Sequence, residues 1–381
     1  MRVRSALVLL TLGLGIALAV TPRVVAATHP PSPETQLTQL TAGWDKGAPR
    51  SVTDLRTMNP EYDFMARTFL VLALADRALA QPEEAASHTA TMDAILRDTI
   101  GQEADRGQLW WLLPYAHGEA WEGSGRSLFV DGEVLVMLGA RRLVADDAPH
   151  WTAEMERRVA RVLDNLGSTT GLPIAESYPD EGWTFCHTMA LLGLRMHEVL
   201  DGATHRATIT AFTDFAEAQL IHTPTGLLNS EFSMDGTIHD GPEGSSIWFT
   251  VTALEVLAPT LGRQQYDLAR RELGRTLLGM GYAREWPVGH ANHQDVDSGP
   301  LVPGLEASAS SSGFAIAASR AYRDAQWNGE LVAALGAAEA IMAVDPWLAA
   351  AADNPVGQAV VLWGLGFGPV WARLGAPDAH H

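Results

Sequence analysis

The sequence predicts an all-α protein, an (α/α)6 barrel with about twelve helices in an inner and an outer ring. Three observations predict it. Helical periodicity runs through almost the whole chain, with no convincing strand alternation. The helices also alternate in character. Those starting near 61, 126, 183, 246 and 308 are apolar almost all round, and those that follow are amphipathic and charged. Finally, the apolar starts lie 65, 57, 63 and 62 residues apart, a repeat of helical hairpins near 60 residues. Helices apolar on every side are buried, and amphipathic ones face water. An inner ring of six wrapped by an outer ring of six satisfies both. An open array of helical hairpins is the alternative. The missing polar capping repeats favour closure.

The elements follow in order. Residues 1–26 read as a signal peptide: Arg2 and Arg4 make a basic start, residues 6–20 an apolar run, and cleavage is expected after Ala26 or Ala27. The run is short for a spanning helix, and an uncleaved membrane anchor is the alternative. No cysteine stands at the cleavage site, so no lipoprotein anchor is expected. A secreted or periplasmic protein follows, with no stable membrane anchor once the signal is cleaved. Removing Arg2, Arg4 and Arg23 takes the net charge from −19 to −19 − 3 = −22. Residues 27–381 read as a single barrel domain, in which 27–34 is a loose lead-in and 35–44 a weaker helix. The hairpins are 61–80 with 83–100, 126–144 with 150–166, 183–201 with 204–221, 246–262 with 264–281, and 308–324 with 327–343. A last apolar helix covers 356–373.

Composition narrows the chemistry. With 45 acidic residues against 26 basic ones, neither nucleic acid nor anionic lipid is expected as a partner. Lys46 is the only lysine, which leaves almost no room for a lysine Schiff base. Cys186 is the only cysteine, so an intramolecular disulfide and a cysteine-rich metal cluster are excluded. The mature chain holds no Gly-x-Ser-x-Gly elbow, His-Glu-x-x-His, Walker loop or dinucleotide fingerprint. No cofactor and no metal are expected, and the expected partner is a small-molecule substrate.

The loops leading into the apolar helices carry the candidate chemistry. They contain Asn59-Pro60-Glu61-Tyr62-Asp63, Gly125-Arg126-Ser127, Pro179-Asp180-Glu181-Gly182-Trp183, Asp240-Gly241-Pro242-Glu243-Gly244 and Asp295-Val296-Asp297-Ser298-Gly299-Pro300. In a closed repeat they ring one mouth of the barrel, where a pocket is expected. Acids before a helix also cap it and complement its dipole, so each single acid has a structural reading. Their clustering with Trp110, Trp111, Tyr115, Trp121, Tyr178, Trp183, Trp248 and Trp286 points to a neutral or partly apolar ligand. Paired carboxyls, one held protonated and one ionised, supply acid–base catalysis. Cys186 reads first as packing, although a helix start lowers a thiol's pKa. His290, His293, Asp295 and Asp297 offer imidazole and carboxylate ligands, but a polar loop explains that string equally well.

Ser177-Tyr178-Pro179-Asp180-Glu181-Gly182-Trp183-Thr184-Phe185-Cys186 resembles the Cys-Glu-Pro-Asp-Asn…Cys segment of linalool dehydratase-isomerase. Gly132-Glu133 to Gly139, Thr225-Gly226-Leu227-Leu228 and the small-residue helix from about Ser308 are also similar. The resemblance implies an exported, oligomeric (α/α)6 barrel without cofactor, interconverting linalool, geraniol and myrcene by acid–base chemistry. It places Cys186 at the family's second active-site cysteine, Ser177 at its first, Glu133 at its catalytic histidine and Gly244 at its pocket tyrosine. Asp180 keeps the Pro-Asp pair. An uncharacterised branch is marked by the stretches 62–69, 126–133, 240–246 and 282–287.

The leading expectation is therefore an exported lyase or isomerase of dehydratase type, acting on a small neutral, hydroxyl-bearing and terpenoid-like substrate. Glu133 and Asp180 are the expected acid–base pair. Glu181, Asp240, Glu243 and Glu285 are partners or orienters, while Cys186 and Ser177 line the pocket. Asp131, Tyr178, Trp183, Trp248, Arg284, Trp286 and Asp297 are expected to bind substrate. Two alternatives stand beside it. One is a glycan-active enzyme such as an inverting glycoside hydrolase. The other is a binding protein in which the acids are caps and the tryptophans core.

Overall fold

The computed structural model describes residues 31, 33–167, 171–290, 301, 302, 304–342 and 354–375. The expected signal peptide lies outside them, as do His293, Asp295 and Asp297. The helices begin where the sequence supplies caps. Asn59 accepts from the Glu61 amide at 2.8 Å and Pro60 takes the first position of α3 (Pro60–Ala80). Ser127 opens α5 (Leu128–Val144), Ser308 opens α11 (Ala309–Ala321) and Asn354 opens α13 (Pro355–Gly366) in the same way. With α7 (Thr184–Asp201) and α9 (Gly244–Leu257), these are the apolar helices of the repeat.

The six pack in sequence order, α3 on α5, α5 on α7, α7 on α9, α9 on α11 and α11 on α13, and α13 returns to α3. The ring is closed, as expected for an (α/α)6 barrel. In α5 every residue from 128 to 143 is buried, whereas α6 (Pro149–Asn165) buries only one face. The outer layer is α4 (Ala85–Arg106), α6, α8 (Arg206–Gln219), α10 (Pro259–Glu272) and α12 (Ala325–Met342). The sixth outer position is shared by α1 (Pro33–Thr41), which packs on α13, and α14 (Pro369–Arg373), which packs on α3. A short α2 (Arg50–Thr53) precedes α3. Among the described residues no helix is long and apolar enough to cross a membrane.

Side chains fill the barrel. Phe69, Phe185, Phe249, Phe314 and Trp363 come from five of the six inner helices and meet ring to ring at 4.5–6.4 Å. The sixth, α5, approaches α7 closely. A Cβ on Gly139 would come within 2.6 Å of Met196, and one on Gly193 within 2.6 Å of Leu135. Only glycine permits that approach, and it sets Gly132 against Ala190, one turn further along α7 than Cys186.

Arginines join the outer ring to the inner one and tie inner neighbours together. Arg67 on α3 reaches Asp98 on α4 at 2.5 Å, Arg141 on α5 reaches Asp93 on α4 at 2.7 Å, and Arg142 on α5 reaches Asp201 on α7 at 2.7 Å. Arg158 on α6 holds Glu154, Asp131 on α5 and Glu103 on α4, all with little exposure.

Three expectations needed correction. Short strands do occur. One antiparallel sheet is β1 (Gly182–Trp183), β2 (Glu231–Phe232) and β3 (Ile238–Asp240); the other runs, in spatial order, β4 (Gly274–Leu277), β5 (Met280–Arg284), β7 (Ala307–Ser308), β6 (Leu301–Val302). The helix expected over 264–281 stops at Glu272, and β4 (Gly274–Leu277) and β5 (Met280–Arg284) form a hairpin. Its two turn residues, Leu278 (φ 54°) and Gly279 (φ 81°), adopt the left-handed pair that suits a two-residue hairpin. β6 (Leu301–Val302) and β7 (Ala307–Ser308) complete that sheet. Proline moves two boundaries. Pro259 starts α10 inside the expected 246–262 helix, and Gly368-Pro369 splits the expected 356–373 helix. Such strands are too short to show alternation in sequence.

Candidate active site

The described parts of the long connections, 107–127, 171–183, 220–243, 273–290 and 304–308, all precede inner helices and gather at one end of the barrel. Glu133 projects from α5 at this end and is fully buried. Its Oε2 accepts from the Thr68 hydroxyl at 2.6 Å, and its Oε1 has no hydrogen-bond partner. Burial pushes its pKa to about 8; the Thr68 bond opposes this and the charge of Glu61 adds to it. The carboxyl therefore keeps its proton at neutral pH.

Glu61 stands in the first turn of α3, half-buried. It accepts a hydrogen bond from the Tyr178 hydroxyl, which in turn accepts from the Leu113 amide at 3.0 Å. Tyr178 stacks on Tyr115 at 4.9 Å, and its pKa is raised well above the usual value by burial and by Glu61. Cys186, in the first turn of α7, is buried beside them. Burial raises its pKa well above the usual thiol value; Glu61 and Glu133 add to that. This thiol is protonated, and a nucleophilic thiolate is not what the surroundings favour. Ser177 lies against it and opposes the shift more than either acid adds to it, yet the serine Oγ makes no hydrogen bond of normal geometry. Thr68, Glu61, Glu133, Tyr178, Ser177 and Cys186 thus form one cluster between α3, α5 and α7.

Most of the other expected site residues are built into the frame. Asp180 is the clearest correction. It sits exposed on a left-handed turn (φ 56°), and its Oδ1 accepts from the Met234 amide at 3.2 Å. The group whose charge bears on Glu133 is Glu61, not Asp180. Asp131 is clamped by Arg126 and Arg158 at 2.6 Å each. Glu285 is fully buried and saturated, accepting from the Ser245 amide (2.8 Å), the Ser245 hydroxyl (2.7 Å) and the Ser311 hydroxyl (2.6 Å). It ties the start of α9 to that of α11. Glu243 is buried at the α9 N-cap position. Glu181 accepts from Tyr115 at 2.9 Å, and burial raises its pKa. Trp183 lies at 3.5 Å from the same carboxylate. Trp248 is buried against Tyr266 and Trp327 on the outer side of α9, so it belongs to the core. Arg284 pairs with Glu306 and donates to the Trp286 carbonyl at 3.1 Å. Asp297 lies outside the described residues.

Asp240 belongs to a separate cavity of about 450 Å³ at the same end. It faces His290 at 3.4 Å, and His290 stacks flat on Trp286 at 4.5 Å. Neither this cavity nor the one at the opposite end is lined by Glu133. Gly244 has no room for a side chain, because a Cβ would stand 2.4 Å from both the Arg284 carbonyl and the Ser311 hydroxyl. A tyrosine cannot replace it on this backbone. The described residues whose ligand atoms group as a metal would need are Glu156, His197 and Asp201, far from Glu133 in the fold. Arg142 already holds both oxygens of that aspartate.

In sequence Glu61 stands among the acids of the entry loops without an assigned role, and Thr68 is not singled out. A signal was present. Asn59 caps α3, so Glu61 is not needed as a cap, and positions 61 and 68 share one face of an otherwise apolar helix.

No family model matches the chain, and no curated protein matches it. Among solved structures it is similar to a possible member of GH105 family from Salmonella enterica subsp. enterica serovar Paratyphi A, at 13% identity and a TM-score of 0.49. That match covers 79% of this chain and 82% of the other.

Proposed function

We propose that the protein is an exported acid–base enzyme of the dehydratase or isomerase type, distantly related to linalool dehydratase-isomerase, acting on a small neutral hydroxyl-bearing substrate. The observation that carries this reading is Glu133: a carboxyl with a pKa near 8, one oxygen unengaged, beside a second carboxylate held as an acceptor. Glu133 donates its proton to the substrate hydroxyl, which leaves as water. Glu61 takes a proton from the neighbouring carbon, and the electron pair of that C–H bond forms the double bond. The products are an alkene and water, and the proton gained by Glu61 restores Glu133. The apolar rings below supply a low-dielectric floor that suits a hydrocarbon body.

Incubation of the purified chain with linalool, geraniol and a panel of oligosaccharides, followed by product analysis, tests the reading. Turnover of a terpene alcohol is expected, falling as pH rises through about 8, where Glu133 loses its proton. Glu133→Gln and Glu61→Gln should each lower kcat by ~100-fold or more. Full activity in both variants would end the assignment.

The glycan-active alternative draws on the 450 Å³ cavity, which opens at the loop end. Inverting hydrolysis needs two carboxyls across a cleft. Among the described residues Asp240 is the single carboxylate lining that cavity, so the second carboxyl that inverting hydrolysis needs is not found there.

A further inference from the structure

The short returns of the repeat, at 202–205, 258 and 322–324, lie at the end of the barrel opposite Glu133. A cavity of about 560 Å³ opens there. Arg195, Arg206, Arg263 and Arg323 line it, with two acids, Glu198 and Glu255. Burial pushes Glu198 upward, but hydrogen bonds from Arg195 (2.8 Å) and the His205 amide (2.6 Å) hold its pKa below the ordinary value. Burial pushes Glu255 to about 8 against the pull of Arg323, so it is neutral at pH 7. The lining then carries +4 − 1 = +3, in a chain whose net charge is −19. Asp267 meets Arg263 at 3.2 Å from outside the lining, and both are more than half exposed. Water screens such a pair strongly.

The placement of these charges runs against local preference. Arg323 has φ 59° and sits where α11 closes, with the Arg323 amide on the Arg320 carbonyl and the Asp324 amide on the Ser319 carbonyl. That is the position a helix end normally gives to glycine. Arg206 begins α8, where a cation opposes the helix dipole, and Glu255 lies in the last turn of α9, where an acid does. Neither α8 nor α10, which both open on this cavity, has a side-chain cap at its N-terminus. Backbone amides at such ends are anion donors.

We propose that this cavity binds a small oxyanion, a carboxylate or phosphate group, through Arg206, Arg263 and Arg323 and the opening turns of α8 and α10. Arg195 is held by Glu198 and the Leu374 carbonyl and shapes the wall. The site is separate from the Glu133 cluster and does not depend on that reading.

Titration calorimetry and thermal unfolding of the full chain test it, with inorganic phosphate and acetate as probes and chloride at equal ionic strength as control. At pH 7 at least one oxyanion should bind saturably and raise the unfolding midpoint above the chloride control. Arg323→Gly places glycine in a conformation it favours, so the variant should fold, yet it should bind about tenfold more weakly. Glu255→Gln should bind as the parent does at pH 7 and keep that affinity above pH 8, where the parent loses it. Two results would overturn the proposal. One is no response beyond chloride for either probe. The other is undiminished affinity in an Arg206→Gln, Arg323→Gly double variant that unfolds at the parent's midpoint.

Discussion

At the scale of the residue, Glu133 is where stability and proposed chemistry pull apart. Its ordinary pKa of 4.5 rises to about 8 because the fold denies water to the charged form. Between those values the unfolded chain has released the proton and the folded chain has not. Stability therefore falls as pH rises across that window. The cost reaches roughly 3 kcal/mol at pH 7. Glu133→Gln cannot ionise and keeps the shape. It should unfold at a higher temperature than the parent, with a gap that widens from pH 5 to pH 8, while proposed activity disappears. Parallel melting curves for the two proteins would refute the buried-acid account. Asp180 teaches the converse. Pro-Asp before an apolar helix looks catalytic in sequence, but a left-handed turn and a bond to the Met234 amide account for it.

At the scale of the element, the acids ringing the mouth divide into structural locks and those proposed to do chemistry. Asp131 and Glu103 sit in the arginine cluster that binds α4, α5 and α6 together, and Glu285 joins α9 to α11. With one lysine in the chain, nearly every basic partner is a guanidinium, which can hold two carboxylates in a fixed plane. Such a pair is better evidence of a defined geometry than of net stability. Removing one member is costly, because the others stay buried and uncompensated. Arg158→Ala should lose ~3 kcal/mol in urea unfolding. A loss inside experimental error would mean that Arg126 alone satisfies Glu103 and Asp131.

At the scale of the whole molecule, two buried carboxyls, Asp76 and Glu133, and the half-buried Glu255 share a pKa of about 8. Each makes the fold less stable as pH rises from about 4 to 8. His187 acts oppositely: burial lowers it to about 4, so stability is lost as pH falls from 6.5 toward 4. Glu103, Glu198 and Asp201, whose pKa values are lowered, add losses in stronger acid. The raised carboxyls, which also include Asp63, Glu176 and Glu181, outnumber the lowered histidines His187, His205 and His222. The unfolding midpoint is expected to peak near pH 5 and decline to pH 8. A midpoint that climbs steadily across that range would contradict the burial of these groups. Asp76 also has a structural task, because its Oδ1 accepts from the Val370 amide at 2.7 Å and ties α14 to α3, where the ring closes.

The amino-acid sequence by itself determined the barrel. Twelve hydrophobic patterns, alternating between all-round and one-sided, leave few ways to bury the first kind, and ring closure is the one found. It also marked Glu133, Ser177, Tyr178 and Cys186, which the structure does bring together. Only the tertiary structure decided their partner. Glu61 and Glu133 stand 72 residues apart in the chain, and they meet because α3 and α5 are neighbours in the ring with their upper turns level. Local pattern cannot weigh a carboxylate that caps, one that pairs with a distant arginine and one left in an apolar floor. The difference lies in what packs against each from other helices. The short strands, the saturated Glu285 and the arginine-lined cavity at the far end belong to the same class: they exist only once residues remote in sequence have been placed side by side.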